Sequence, residues 1–259
     1  MRSSLYLLPF LWLAVRADVI TDIKEGMVEN GKASGVRKLS LLGDTDNKLI
    51  STSFVSINQC PDEFALGSPC VTFKLAKEGQ LDDMSDHPGA TKRQRNFIAS
   101  PDLDSGSSTV SWNMMVEQAS AQPGFFHLAQ IIGGGGPSWT MSIFQQDQGD
   151  MVAIVDASLP EDDKDYVCDS MNLSKFMSAP MGISVSIDID SQSLHWAVTN
   201  LVTKKTVMIC HRDGDASLSK GSNIQGGAYR RVLNDGTTPA VVDVGGFKVT
   251  NSQPARLAK

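Results

Sequence analysis

The sequence predicts an all-β chain, a sandwich of two antiparallel sheets, on two observations. Short runs in which apolar and polar residues alternate recur along most of the 259 residues, separated by clusters of Gly, Pro, Asp, Asn and Ser. Few stretches carry helical periodicity, and no internal repeat of roughly 20–50 residues is present, which excludes a propeller or a solenoid.

Taken in order, the alternating runs fall at 71–77, 108–117, 125–132, 139–145, 151–157, 183–189, 194–201, 206–211, 229–233 and 241–250. The run at 183–189 sets Ile183, Val185, Ile187 and Ile189 against Ser184, Ser186 and Asp188, the pattern of a strand with one buried face. Asp190-Ser191-Gln192-Ser193 and Val202-Thr203-Lys204-Lys205 have the length and composition of hairpin connectors, so the three runs around them read as a meander. A short helix is expected at 171–177. The segment 81–89 is a polar loop, Gly133 to Gly136 form a turn with Pro137, and 234–239 is a loop of turn-forming residues.

The chain opens with Met1-Arg2-Ser3-Ser4, an apolar run over 5–15, and Arg16-Ala17-Asp18. A cationic start, a short apolar core and a small residue before the break are the marks of a secretory signal peptide over 1–17, cleaved after Ala17. The run is shorter than the roughly 20 residues of a membrane span. The expected product is a secreted, extracellular protein, free of the membrane after cleavage, with a single domain over 18–259. A net charge of -6 and a pI near 5.2 exclude a general nucleic-acid partner, which would need clustered Lys and Arg. Lys92, Arg93 and Arg95 form the densest cationic cluster, followed by Arg230 and Arg231.

Four cysteines in a secreted chain, none in a CxxC spacing, point to two disulfides. Cys60 and Cys70 make the natural short loop and Cys168 with Cys210 a longer one, among three pairings that four cysteines allow. Asn172-Leu173-Ser174 is an N-glycosylation sequon. Oxygen ligands near His87 (Asp82, Asp83, Asp86) and over 161–165 would suit calcium; no other metal or cofactor is implied. His195 beside Trp196 and His211 beside Cys210 read as structural.

Three segments carry the functional signal: Thr91-Lys92-Arg93-Gln94-Arg95-Asn96, Phe125-Phe126-His127-Leu128-Ala129-Gln130-Ile131, and Gly227-Ala228-Tyr229-Arg230-Arg231. Together they resemble the β-jelly-roll polysaccharide lyases, a group that includes alginate lyases, heparin-lyase-like enzymes and fungal glucuronan lyases. In that group an Arg-rich strand, a Gln-Ile or Gln-Ile-His strand and a late Tyr strand line one groove. Phe-His-Leu-x-Gln-Ile is closest to the glucuronan-lyase branch. The resemblance spans about residues 50–250 and implies a jelly roll of two antiparallel sheets, concanavalin A-like, and a monomer whose partner is an acidic polysaccharide. Two positions depart from the pattern: Phe97 stands where a Glu usually follows, and Ile132 where the alginate branch carries its His.

β-Elimination in a uronan needs a base for the C5 proton, groups that neutralise the adjacent carboxylate, and an acid at the departing O4. The resemblance assigns catalysis to Tyr229, Gln130, His127 and Arg93, and substrate binding to Arg95, Asn96 and Arg231. Gln130 and Asn96 would donate amide hydrogen bonds to the carboxylate, and Arg93 or Arg95 would add fixed charge. Tyr229 would serve as base, acid or both if a neighbouring Arg lowered its pKa; His127 is the alternative base. Regular alternation places His127 and Gln130 on opposite faces unless a bulge or twist intervenes; if only one of them faces the groove, the resemblance implies that it is Gln130, with His127 packed behind it. Two other classes compete: a non-catalytic carbohydrate-binding protein of lyase descent, favoured by Phe97, and a glycoside hydrolase, for which Glu117 and the pair Asp188 and Asp190 are the available acids. No Gly-x-Ser-x-Gly, P-loop, HExxH or dinucleotide motif is present.

Overall fold

In the strand Ser107–Gln118 burial alternates residue by residue: Val110, Trp112, Met114 and Val116 point inward, while Ser111, Asn113 and Met115 stay partly exposed. The neighbouring strand Met181–Asp188 repeats the pattern with Met181, Ile183, Val185 and Ile187. Period-two alternation of this kind can bury its apolar set only by lying on one side of a sheet against a second layer. The computed structural model supplies that layer. It describes residues 35–40, 46–51, 54–60, 62–64, 69–75, 93–121, 125–133, 136–147, 149–231 and 239–252.

Two antiparallel sheets form the sandwich. One has eight strands, in the order β1 (Gly35–Ser40), β2 (Asp46–Ser51), β5 (Arg93–Ala99), β14 (Asn223–Arg231), β7 (Phe126–Gly133), β8 (Gly136–Gln146), β9 (Gly149–Asp156) and β10 (Val167–Asn172). The other has seven, in the order β13 (Thr206–Arg212), β12 (Ser193–Asn200), β11 (Met181–Asp188), β6 (Ser107–Gln118), β15 (Ala240–Ser252), β4 (Pro69–Leu75) and β3 (Phe54–Gln59). The meander expected over 183–211 is β11, β12 and β13, paired in chain order. The helix expected at 171–177 is shorter: α1 covers Leu173–Met177, because Met171 and Asn172 finish β10 against β9. Asn172, the sequon residue, caps α1 by accepting the backbone N–H of Ser174 at 2.9 Å. The signal segment and the loop over 81–89 lie outside the described residues, as do Gly134 and Gly135 of the Gly133 to Gly136 turn.

One core fills the space between the sheets, with Trp112, Trp139, Trp196, Phe126, Phe73 and Leu128 among its largest members. Gly226 in β14 faces this core. A Cβ there would sit 2.6 Å from the Trp112 ring, so the missing side chain is what lets the indole lie against the backbone. Both disulfides suggested by the spacing form. Cys168–Cys210 joins β10 to β13, the end strands of the two sheets, and the Ile209 N–H adds a 2.7 Å hydrogen bond to Asp169 Oδ2 across the same seam. Cys60–Cys70 closes a loop over the outer side of the seven-stranded sheet. There Phe64 packs on the two cysteines with Met115 and Leu201, and Asn113 Nδ2 donates to the Phe64 carbonyl at 3.1 Å.

Candidate active site

The site lies on the face of the eight-stranded sheet turned away from the core, over β5, β14, β7 and β8. Its geometry depends on an irregularity in β7. Leu128 and Ala129 are consecutive, yet both are fully buried in the core. The pairing register shifts at this point against β8, between His127 and Ala129, and against β14, between Gly226 and Tyr229. A bulge of this kind lets two neighbours share a face and reverses the alternation beyond it. His127 therefore stands opposite Ser142 and Gln130 opposite Thr140, and those two β8 hydroxyls lie on one face, 2.7 Å apart. The bulge that a shared face requires is present, and His127 and Gln130 both face the site.

β14 completes two cross-strand rows. Tyr229 is opposite His127 and Gln225 is opposite Gln130. On its other side β14 runs in unbroken register with β5, so Arg95 is opposite Tyr229 and Arg93 opposite Arg231. The first row is thus Arg95, Tyr229, His127 and Ser142, and the second Ala99, Gln225, Gln130 and Thr140. Gly227 makes the close approach of β14 to β5 at this point feasible, since a Cβ there would fall 2.1 Å from the Asn96 carbonyl oxygen.

His127 Nδ1 is 2.7 Å from Ser142 Oγ, which fixes the ring and leaves Nε2 without a hydrogen bond among the described residues. Phe125 stacks on the imidazole with 4.6 Å between centroids and 7° between planes, and meets Tyr229 edge to face at 4.8 Å. Phe97, fully buried, packs edge to face on Tyr229 at 5.7 Å. Enclosed in this way, His127 has its pKa lowered to about 4 by desolvation, so the imidazole is neutral at neutral pH and its lone pair is available. Tyr229 is 6% exposed.

The remaining candidates divide. Arg231 is exposed on the Tyr229 side of β14. Asn96 is displaced from its expected role: it is fully buried, pairs with Ala228 of the core and alternates with Phe97, which belongs to the site face, so it cannot donate to a ligand beside Tyr229. The pair Arg230 and Arg231 also separates. Arg230 is fully buried on the core side, 5.9 Å over the Phe126 ring, and desolvation lowers its pKa to about 10. Among the acids weighed for hydrolysis, Asp188 accepts from the Ser107 hydroxyl and the Ser191 N–H, which hold its pKa below the usual carboxylate range, and it lies with Glu117 in the other sheet. Among the described residues no group of three or more His, Cys, Asp or Glu converges as a metal site, and no helix is long and apolar enough to cross a membrane.

Gln225, Ser142 and Phe125 are site residues that the sequence reading did not assign. Gln225 lies four residues before Tyr229, and alternation along β14 would have placed it on the same face.

Comparison with solved structures finds alginate lyases. The enzyme of Klebsiella pneumoniae superposes with a TM-score of 0.51 at 10% identity, over 71% of this chain and 81% of its own. An alginate lyase of Pseudomonas aeruginosa gives 0.49 at 11% identity over 71% and 83%, and a family 7 alginate lyase of Zobellia galactanivorans 0.46 at 14% over 71% and 78%. No protein-family model matches the chain, and no curated protein matches its sequence. At such identities the likeness is one of fold: the two-sheet sandwich is a β-jelly roll.

Proposed function

We propose that this chain is a polysaccharide lyase that cleaves a uronic-acid polymer by β-elimination, with glucuronan as the substrate favoured by its motif pattern. The observation that carries the reading is the bulge at Leu128, which sets His127, Gln130 and Tyr229 in adjacent rows of one sheet face. The jelly roll shared with the Klebsiella alginate lyase supports it. Neutral His127, through Nε2, takes the C5 proton. Gln130 and the cationic pair Arg93 and Arg95 neutralise the carboxylate so that the resulting carbanion is stabilised, and the Tyr229 hydroxyl protonates the departing O4. The C5–H and C4–O4 bonds break, a C4=C5 double bond forms, and no water is consumed. Arg231 holds a neighbouring sugar by its charge.

The two disulfides support a secreted protein with residues 1–17 as signal peptide and one domain after it, acting as a monomer on an extracellular acidic polysaccharide. A second reading, a carbohydrate-binding protein without turnover, is favoured by Phe125, which lies flat on His127 beside the nearly buried Tyr229. Incubating the purified protein with a panel of uronans, glucuronan and alginate included, separates the two. Rising ultraviolet absorbance from unsaturated ends supports the lyase; binding with a flat trace supports the second reading and overturns the first.

A further inference from the structure

Three side-chain amides and one carboxylate form a head-to-tail chain that runs from the site to the end of the sheet. Gln130 Nε2 donates to Gln225 Oε1 at 2.7 Å, Gln225 Nε2 to Asn223 Oδ1 at 2.8 Å, and Asn223 Nδ2 to Asp102 Oδ1 at 3.4 Å. At one end Gln130 and Gln225 are 2% and 7% exposed; at the other Asp102 is exposed, next to the bridge that pairs Leu103 with Ser222.

An amide is nearly the same shape when its oxygen and nitrogen are exchanged, so three coupled amides alone could point either way. An ionised carboxylate only accepts. Turning Asn223 over would set its Oδ1 against the Asp102 oxygen, and the same reversal would pass to Gln225 and then to Gln130. The buried end is where polarity is felt most, because low dielectric strengthens a chain of hydrogen bonds and raises the cost of breaking it.

We propose that Asp102, Asn223 and Gln225 are positioning residues that fix the amide of Gln130 in a single orientation. One Gln130 N–H is committed to Gln225, so the group offers a ligand one N–H and the Oε1 acceptor, which has no partner among the described residues. One donor beside one acceptor suits a single carboxylate oxygen with an adjacent sugar hydroxyl, or a hydroxyl alone; it does not suit two-pronged donation into a carboxylate. Bidentate recognition of the uronate is thereby left to arginine. The catalytic consequence rests on the lyase reading; the orientation itself does not.

Side-chain amide NMR on the full chain tests the orientation without any substrate. Asp102→Asn, which can accept or donate, is expected to shift or double the Gln130 cross-peaks at unchanged melting temperature. Asp102→Glu is expected to restore the wild-type pattern, and Asn223→Ala to reproduce the Asp102→Asn spectrum. Gln130 cross-peaks that do not move in Asp102→Asn overturn the proposal. On a polymer that the wild type cleaves, kcat of Asp102→Asn falls about fivefold, the worth of one neutral hydrogen bond, with recovery in Asp102→Glu. If no polymer is cleaved, the lyase reading fails and the NMR result still decides the orientation.

Discussion

Acidification bears on His127 before any other group of the site. In the folded protein its pKa is lowered to about 4 from the ordinary imidazole value of 6.5, because Phe125, Tyr229 and Ser142 enclose the ring and charging it there lacks water. Over that interval the unfolded chain binds a proton at this residue and the folded chain does not, so stability falls as pH falls. Each pKa unit of difference is worth about 1.4 kcal/mol, and the contribution lost between about pH 7 and pH 5 comes to roughly 2 kcal/mol, nearing 3 at about pH 4. His127→Gln removes the titration and keeps a hydrogen-bonding side chain opposite Ser142. Urea unfolding of both proteins at the two higher pH values isolates the effect, since the other histidines and the carboxylates are common to them. The wild type should lose about 2 kcal/mol more than the variant. Equal losses would show that the folded protein accommodates a charged imidazole, and the desolvated setting of His127 would be refuted.

Other consequences concern the frame. Replacing Cys168 and Cys210 together by Ser should cost about 4 kcal/mol by the chain-entropy estimate for a separation of 42 residues, read as a drop in urea midpoint; a loss under about 1 kcal/mol would mean that the Asp169 contact already holds the seam. Gly227→Ala places a Cβ 2.1 Å from the Asn96 carbonyl oxygen and 2.9 Å from the Phe97 Cα, so β5 and β14 must part; a destabilisation of about 3 kcal/mol by thermal melting is expected, and wild-type stability would contradict the register.

Six strands of the seven-stranded sheet are legible in the alternation, as in β11, where Ile183, Val185 and Ile187 are buried and stand against Ser184 and Ser186; β3 is not among the alternating runs. β1 and β2, short and charged as in Val36-Arg37-Lys38, carry no such contrast. In β14 the sequence marks a strand only from Tyr229 onward, whereas the strand begins at Asn223. Gly226 and Gly227 look like a turn, yet one makes room for the Trp112 ring and the other for the β5 backbone, and both needs are set by distant segments. The bulge has the same origin. Phe126 to Ile131 offers apolar residues at both parities, and what selects the shift at Leu128 is its pairing with β8 and β14. Asn96 illustrates the reverse failure: the motif suggested a ligand donor, while alternation from Phe97 to Ile98 already directed it to the core.

Elimination at the His127 and Tyr229 row is decided by the mass of the products released from the cleaved uronan by the wild type and by Tyr229→Phe. Fragments one water lighter than hydrolysis products are expected from the wild type, with at least about 100-fold slower release from a Tyr229→Phe protein of unchanged melting temperature. Saturated fragments, or full activity without the Tyr229 hydroxyl, would contradict it.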